Sequence, residues 1–116
     1  MTNQSSARKE DLELLALMEL HQDPNLSCRT LASRMGASVG ATHFCLTALI
    51  EKGMVKVRNF GNSPHKLKYA YVLTPKGVAS KSVLTVHFLK RKLVEYDKLS
   101  REIAMAREQV NQQERN

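Results

Sequence analysis

The first third of the chain alternates helical patterns with turn residues. An amphipathic helix is predicted from Arg8 to Gln22, and Asp23-Pro24-Asn25 ends it. Its helically spaced positions are Leu12, Leu15, Ala16, Met18 and Glu19. A second helix is expected to run to Met35, because the Ser27 hydroxyl can cap its start and Gly36 can adopt the left-handed conformation that ends it. Its inward residues are predicted to be Leu31, Ala32 and Met35.

Three residues, Gly36-Ala37-Ser38, separate this helix from a third, which is predicted from Val39 to Lys52 with Ser38 as its cap. A short helix, a glycine turn and a capped helix form the helix-turn-helix pattern. The core side is expected to carry Val39, Thr42, Cys45, Leu46, Leu49 and Ile50. The outer side has small uncharged residues, a histidine and one aromatic ring: Gly40, Ala41, His43, Phe44, Thr47 and Ala48. Such a face suits insertion into a groove between two phosphate backbones.

Two alternating stretches after Gly53 predict a β-hairpin. Met54 to Asn59 places Val55 and Val57 against Lys56 and Arg58, and Gly61-Asn62-Ser63-Pro64 is a turn cluster. Lys66 to Leu73 alternates again, with one face made of Leu67, Tyr69, Tyr71 and Leu73 and the other of Lys66, Lys68, Ala70 and Val72. A hairpin with a basic tip is the wing of a winged helix-turn-helix.

Thr74-Pro75 is a helix start, and no Gly or Pro follows Gly77. A helix from Pro75 to about Gln112 would be roughly 55 Å long at 1.5 Å per residue. Its apolar residues, here called the seam, recur at steps of 4, 3, 3, 4, 3 and 4, which is a heptad pattern with one short step. The seam consists of Leu89, Leu93, Tyr96, Leu99, Ile103, Ala106 and Val110. Homodimerisation through it is expected; the alternative is a lone helix folded onto its own core.

These elements predict a mainly α fold with a small β-hairpin (α+β): a winged helix-turn-helix domain over residues 8–75 and a long, coiled-coil-like dimerisation helix over 76–116. A chain of 116 residues allows one domain and an extension. The dimerisation residues are expected to be Leu89, Leu93, Tyr96, Leu99, Ile103 and Val110.

The net charge of +7 is concentrated in the middle of the chain. Between Lys52 and Lys92 there are ten Lys or Arg and no Asp or Glu. A segment with charge of one sign repels itself unless an anion neutralises it, and nucleic acid is the commonest large anion in a cytosol. The alternative is a solvated basic face.

Other kinds of site have little support in the sequence. Cys28 and Cys45 have neither zinc-ligand nor disulfide-framework spacing, although a redox-sensing pair remains an alternative. His21 and His87 are isolated, so no metal or cofactor is expected. No catalytic constellation is recognisable, which predicts a protein that is not an enzyme. The sequence has neither a membrane-spanning stretch nor an apolar signal core, so a cytoplasmic protein is expected.

The ordered pieces resemble the MarR family of bacterial winged-helix regulators, and more narrowly its short members associated with exopolysaccharide genes. The similar stretches are residues 45–53, 55–60, 69–77 and 88–92, within a resemblance that covers roughly residues 10–105. The resemblance implies a cytosolic homodimer that binds a promoter, with polysaccharide synthesis genes as targets. Gly40 and Ala41 replace the polar residues that such proteins often carry early in the recognition helix. The chain is too short for the family's usual ligand pocket, so a small-molecule effector is not expected.

The expected partner is double-stranded DNA. The recognition-helix contacts are predicted to come from Ser38, Val39, Gly40, Thr42, His43, Phe44 and Thr47, and the wing contacts from Lys56, Arg58, His65, Lys66 and Lys68. Phe44 is expected to face a thymine methyl group or else to turn back onto the hairpin. Two other functions stay open: a protein-docking module whose working part is the coiled coil, and a nucleic-acid-coating protein without sequence preference.

Overall fold

The computed structural model describes the backbone of residues 2–59 and 69–115 and the side chains of 8–58 and 69–115. The elements are α1 (Thr2–Gln22), α2 (Cys28–Met35), α3 (Val39–Glu51), β1 (Val55–Asn59), β2 (Tyr69–Leu73) and α4 (Pro75–Arg115). This order confirms the predicted fold class. The chain divides into two compact units, Met1–Thr85 and Val86–Asn116, so the first turns of α4 belong to the first unit.

Helix α1 begins at Thr2, earlier than the predicted Arg8, and buries a different face from the one its spacing suggested. Leu15 and Met18 are exposed. The buried positions of this helix are instead Glu13, Leu14, Ala16, Leu17 and Leu20. Apolar residues occur on more than one side of this helix, so periodicity alone did not decide which side packs against α2 and α3.

The caps of α2 and α3 confirm the predicted helix-turn-helix. Ser27 Oγ accepts a hydrogen bond from the Thr30 N–H, and Ser38 Oγ accepts one from the Ala41 N–H. Between the helices Gly36 has φ 66°, a left-handed conformation that favours glycine. The three inward residues predicted for α2 are buried. In α3 four of the six predicted core residues are buried, whereas Val39 and Ile50, at its two ends, are exposed.

Strands β1 and β2 form a two-stranded antiparallel sheet in which Val55 pairs with Leu73 and Arg58 with Ala70. One face packs on the core through the buried Val55 and the partly buried Tyr71 and Leu73. The backbone N–H of Tyr71 donates to the Pro24 carbonyl oxygen at 2.9 Å, which ties β2 to the turn after α1. The described part of the second strand starts at Tyr69; the predicted turn cluster and Lys66 to Lys68 lie outside the described residues.

The start of α4 is fixed to the end of α3 by close contacts. Thr74 Oγ1 donates to the Gly53 carbonyl at 2.6 Å and accepts the Gly77 N–H at 3.0 Å, which confirms the predicted helix start. A Cβ at Gly77 would lie 2.0 Å from the Met54 carbonyl oxygen, so only glycine fits there. Further along α4, Leu84 packs against the core of the first unit.

Candidate nucleic-acid interface

The outer face of α3 is open and carries no charge of its own. Gly40, Ala41, His43, Phe44 and Thr47 are all exposed. The ring of Phe44 is 73 % exposed, so it points outward and is not turned back onto the hairpin. No atom lies within 4 Å of the position that a Cβ on Gly40 would take, so this turn leaves room for a close-fitting partner. The face therefore combines a small-residue turn with one protruding aromatic ring.

Thr42 is a correction to the predicted DNA contacts. Its side chain is completely buried, and its hydroxyl donates to the Ser38 carbonyl at 2.9 Å. A residue in this position stabilises the first turn of α3 from inside and is out of reach of a ligand. The core side assigned to it by helical spacing was right; its role as a DNA contact was wrong.

The other hydroxyls and the first apolar residue of α3 remain accessible. Ser38 Oγ accepts the capping N–H and keeps its own proton for an outside acceptor. Thr47 Oγ1 donates to the His43 carbonyl at 2.9 Å, which leaves its oxygen free to accept. Val39 is 48 % exposed, at the end of the helix that points toward the turn. Ser38 can thus donate to a phosphate, whereas Thr47 can only accept.

Strand β1 presents two exposed cations on one face of the sheet, the face that also carries the buried Ala70. Lys56 and Arg58 are exposed, and they pair across the hairpin with Val72 and Ala70. Because neighbouring residues of a strand point to opposite faces, both cations lie on the face opposite the buried Val55. The remaining predicted wing contacts, His65, Lys66 and Lys68, lie outside the described residues.

Two cations missed by the sequence reasoning lie beside α3. Arg8 and Lys9, on α1, line a groove of about 270 Å³ together with residues of α3. The α3 residues in this groove are Ala41, Phe44, Cys45 and Ala48, and its other lining residues are Leu12 and Glu13. A helix that begins at Thr2 holds Arg8 and Lys9 about two turns from its start, whereas the predicted start at Arg8 had put them at a fraying end. Their one-turn spacing from Leu12 and Glu13 was the available signal.

A partly buried ion pair holds the far end of α3. Lys52 Nζ lies 2.7 Å from Glu13 Oε1, and the Glu13 side chain is only 8 % exposed. Lys76 Nζ in turn donates to the Lys52 carbonyl at 2.7 Å. Together these bonds connect α1, the end of α3 and the start of α4. Lys52 and Lys76 belong to the acid-free segment, but their ammonium groups already have protein partners and are less available to a phosphate.

The cysteines are poor candidates for redox sensing. Burial raises the pKa of Cys45 to about 11, and nearby Glu13 adds to the shift. Burial also raises the pKa of Cys28. The thiolate is the reactive form, so both side chains remain protonated thiols near neutral pH. This disfavours the redox alternative.

Two other classes of site lack support over residues 2–59 and 69–115. No three His, Cys, Asp or Glu side chains of these residues are grouped so that they could hold a metal ion. Within the same residues, no helix contains an apolar stretch long enough to cross a lipid bilayer.

In the second unit, the six predicted dimerisation residues are all exposed along α4. Their exposed fractions run from 45 % at Ile103 to 70 % at Tyr96. Ion pairs within the helix, Lys92 with Glu95 and Arg101 with Asp97, lie between the seam positions. An isolated helix with this much exposed apolar surface is unfavourable in water.

Residues 10–56 match the family described as winged helix-turn-helix DNA-binding, a segment that covers α2, α3 and most of α1. No curated protein matches the sequence significantly. Solved structures with the same fold come from bacterial regulators. The PcaV transcriptional regulator of Streptomyces coelicolor, in complex with its natural ligand, has TM-score 0.62 and 20 % identity over 71 % of this chain and 57 % of its own.

Two further structures are similar at the same level. Staphylococcus aureus MarR, in complex with salicylate and kanamycin, has TM-score 0.54 and 21 % identity over 74 % of this chain and 56 % of its own. A MarR/EmrR family regulator from Acinetobacter sp. ADP1 has TM-score 0.58 and 21 % identity over 86 % of this chain and 75 % of its own. The chain thus spans little more than half the length of the first two. At such identity the likeness establishes the fold, which is a winged helix-turn-helix.

Proposed function

We propose that the chain is a sequence-specific, double-stranded DNA-binding transcriptional regulator of the MarR family that acts as a homodimer. The observation that carries the proposal is the exposed, uncharged outer face of α3, flanked by cations on β1 and α1. A helix that enters the major groove passes between two rows of phosphates, so a face without acidic residues avoids repulsion there and cations beside the helix can contact the phosphates. The match of residues 10–56 to a DNA-binding family supports this reading.

In this proposal the first half of α3 lies in the major groove. Phe44 packs its ring against a thymine methyl group, and His43 donates to a guanine or a phosphate. Ser38 donates to a phosphate from the start of the helix, Val39 makes an apolar contact there, and Gly40 allows the backbone to approach closely. Thr47 accepts from a base amino group. Direct base contacts are therefore few, and apolar contact with thymine carries much of the sequence preference.

The cations contribute affinity without sequence information. Lys56 and Arg58 contact phosphates from β1, and we propose Arg8 and Lys9 as further phosphate contacts on the α1 side. Lys66, Lys68 and His65 complete the wing in the proposal. If about six of the twelve Lys and Arg side chains that a dimer offers each neutralise a phosphate, the log-log slope of affinity against salt concentration is near −5.

At the level of biology, the proposed role is repression at a promoter, with exopolysaccharide genes as the target that the sequence resemblance suggests. A dimer bound across a promoter blocks access of polymerase. A small-molecule effector is not part of the proposal; the ligands of the S. coelicolor and S. aureus structures are properties of those proteins.

The test is selection of bound duplexes from a random library by the purified protein, followed by sequencing. A discrete motif with two-fold symmetry is expected, and Phe44→Ala should blur its thymine positions more than it lowers affinity for random DNA. Met105→Ala, which truncates a 67 % exposed side chain outside the seam, is the matched control and should leave the motif unchanged. Enrichment of no motif despite binding would favour the coating protein, and no binding would favour the docking module.

A further inference from the structure

The seam of α4 has its irregular step in the middle. Val86, which is 50 % exposed, extends the seam by one position. The steps from Val86 to Val110 are then 3, 4, 3, 3, 4, 3 and 4 residues. The short step, from Tyr96 to Leu99, has four seam positions on each side of it. A break at the centre makes the seam nearly the same when read in either direction.

That symmetry matters for how two copies could pair. In a parallel pair every seam residue faces its own copy, wherever the break lies. In an antiparallel pair each residue faces the one equally far from the centre, so an off-centre break would bring apolar residues opposite polar ones. Here the antiparallel layers are all apolar: Val86 with Val110, Leu89 with Ala106, Leu93 with Ile103, and Tyr96 with Leu99.

A groove on the seam can accommodate a side chain of a second helix. It has a volume of about 330 Å³ and is lined by Ile103, Ala106, Arg107, Val110 and Asn111. The first four stand at the spacing of the four residues that surround an inserted side chain in coiled coils. Antiparallel pairing brings Leu89 of a second copy to this groove, whereas parallel pairing brings its Ala106. A leucine fills such a groove, and an alanine methyl group leaves much of it empty, which costs packing energy.

The charges on either side of the centre also differ. Residues 86–94 carry three Lys or Arg and no acid, a net +3, whereas residues 102–110 carry one Arg and two Glu, a net −1. Parallel pairing places the two +3 segments side by side. Antiparallel pairing places each +3 segment beside a −1 segment, which reduces the repulsion.

We infer that α4 pairs antiparallel with α4 of a second copy, with Leu89 of one copy inserted between Ile103 and Val110 of the other. The inference rests on the proposed homodimer and adds its orientation and register. The layer symmetry, the groove and the charges select the same arrangement. In it, Lys92 of one copy lies beside Glu102 of the other, on both sides of the two-fold axis.

Charge reversal tests the orientation in the full chain. Lys92→Glu and Glu102→Lys should each weaken the dimer, by about 3-fold to 10-fold in Kd by sedimentation equilibrium, and the double variant should return to within about 3-fold of the original. Parallel pairing puts Lys92 near Asp97 and Glu102 near Arg107 of the other copy. The double variant would then be weaker than either single variant, and that result would overturn the inference.

A second measurement does not depend on the strength of the ion pairs. Leu93→Cys and Ile103→Cys proteins, mixed and oxidised, should form a disulfide-linked dimer that neither forms alone, because Leu93 and Ile103 face each other only when the helices are antiparallel. Val94→Cys, off the seam, is the control for random crosslinking, and the protonated native thiols give the background. Efficient crosslinking of either single variant with itself would contradict the inference while leaving the homodimer intact. A chain that is monomeric at micromolar concentration would refute the orientation and the homodimer, but not DNA binding.

Discussion

The two units handle their apolar residues in opposite ways. In Met1–Thr85 the leucines of α1, α2 and α3 bury one another, and Leu17, Leu31 and Leu49 are completely inaccessible. In Val86–Asn116 the seam is equally apolar, yet every one of its residues is exposed. The first unit therefore buries its apolar side chains within one chain, whereas the apolar residues of the second stabilise it only when another surface covers them.

The largest expected effect is a loss of folding stability when the core of the first unit is disrupted. Leu17→Ala removes a side chain with no exposed area from the centre of the core. The free energy of unfolding should fall by about 2 to 5 kcal/mol, because the lost contacts leave a cavity. Urea denaturation at two protein concentrations measures it. The loss should appear equally at both concentrations, and a loss below about 1 kcal/mol would mean that Leu17 is not in the core.

The next largest effect is a loss of self-association when the seam of the second unit is disrupted. Leu93→Glu places an unpaired charge within the proposed dimer seam, opposite Ile103 of the other copy, and should weaken self-association by more than about 100-fold. Unfolding of the first unit should hardly change. Sedimentation equilibrium gives the dimer constant, and Val94→Glu, an exposed position off the seam, provides the control. Equal effects of the two substitutions would show that the seam is not the interface.

A smaller effect is expected on DNA affinity when the β1 cations are removed, since they belong neither to the core nor to the seam. Replacing Lys56 and Arg58 together by Ala should weaken binding to all duplexes alike, by about 10-fold at moderate salt, and should make the salt slope shallower by about 2 to 4 per dimer. Lys98→Ala with Arg115→Ala removes the same charge from α4 and should leave the slope unchanged. An unaltered slope in the β1 variant would remove the wing from the mechanism.

The smallest effect concerns Cys45 and pH. The pKa of its thiol in the folded chain, about 11, lies above the ordinary value of 9.0. The folded state therefore keeps a proton that the unfolded state has lost, and stability that is present below pH 9 should decline as pH rises toward 11. Thermal unfolding across this range should show less decline for Cys45→Ala. An identical decline in both proteins would assign the pH dependence to other groups.

Local signals in the sequence were sufficient to predict the helix-turn-helix. Ser27, Gly36 and Ser38 act within three residues of where they stand, so their roles could be predicted without knowledge of the rest of the fold. The two paired strands could also be predicted from their alternating residues. Which residues are covered could not, because Ala70 on the cation-bearing face is buried whereas Val57 and Tyr69 on the other face are exposed.

Features that depend on contacts between residues distant in the sequence could not be predicted. Leu15 and Met18 fit a helical stripe, but packing on α2 and α3 selects the neighbouring stripe through Leu14, Leu17 and Leu20. The Glu13–Lys52 ion pair joins residues 39 positions apart, and the sequence next to either residue does not indicate the contact. Arg8 and Lys9 beside α3 were missed because the predicted helix began too late, and Thr42 was given a DNA contact although its helical spacing already placed it on the core side.

The central claim is that this chain recognises particular DNA sequences. The most direct measurement is binding of the purified protein to the duplex upstream of its own gene and to a scrambled duplex of equal length, at two salt concentrations. We predict tighter binding to the upstream duplex at both concentrations and loss of affinity for both duplexes as salt increases. Equal affinity for the two duplexes at both concentrations would contradict sequence recognition, and failure to bind either at low salt would contradict DNA binding altogether.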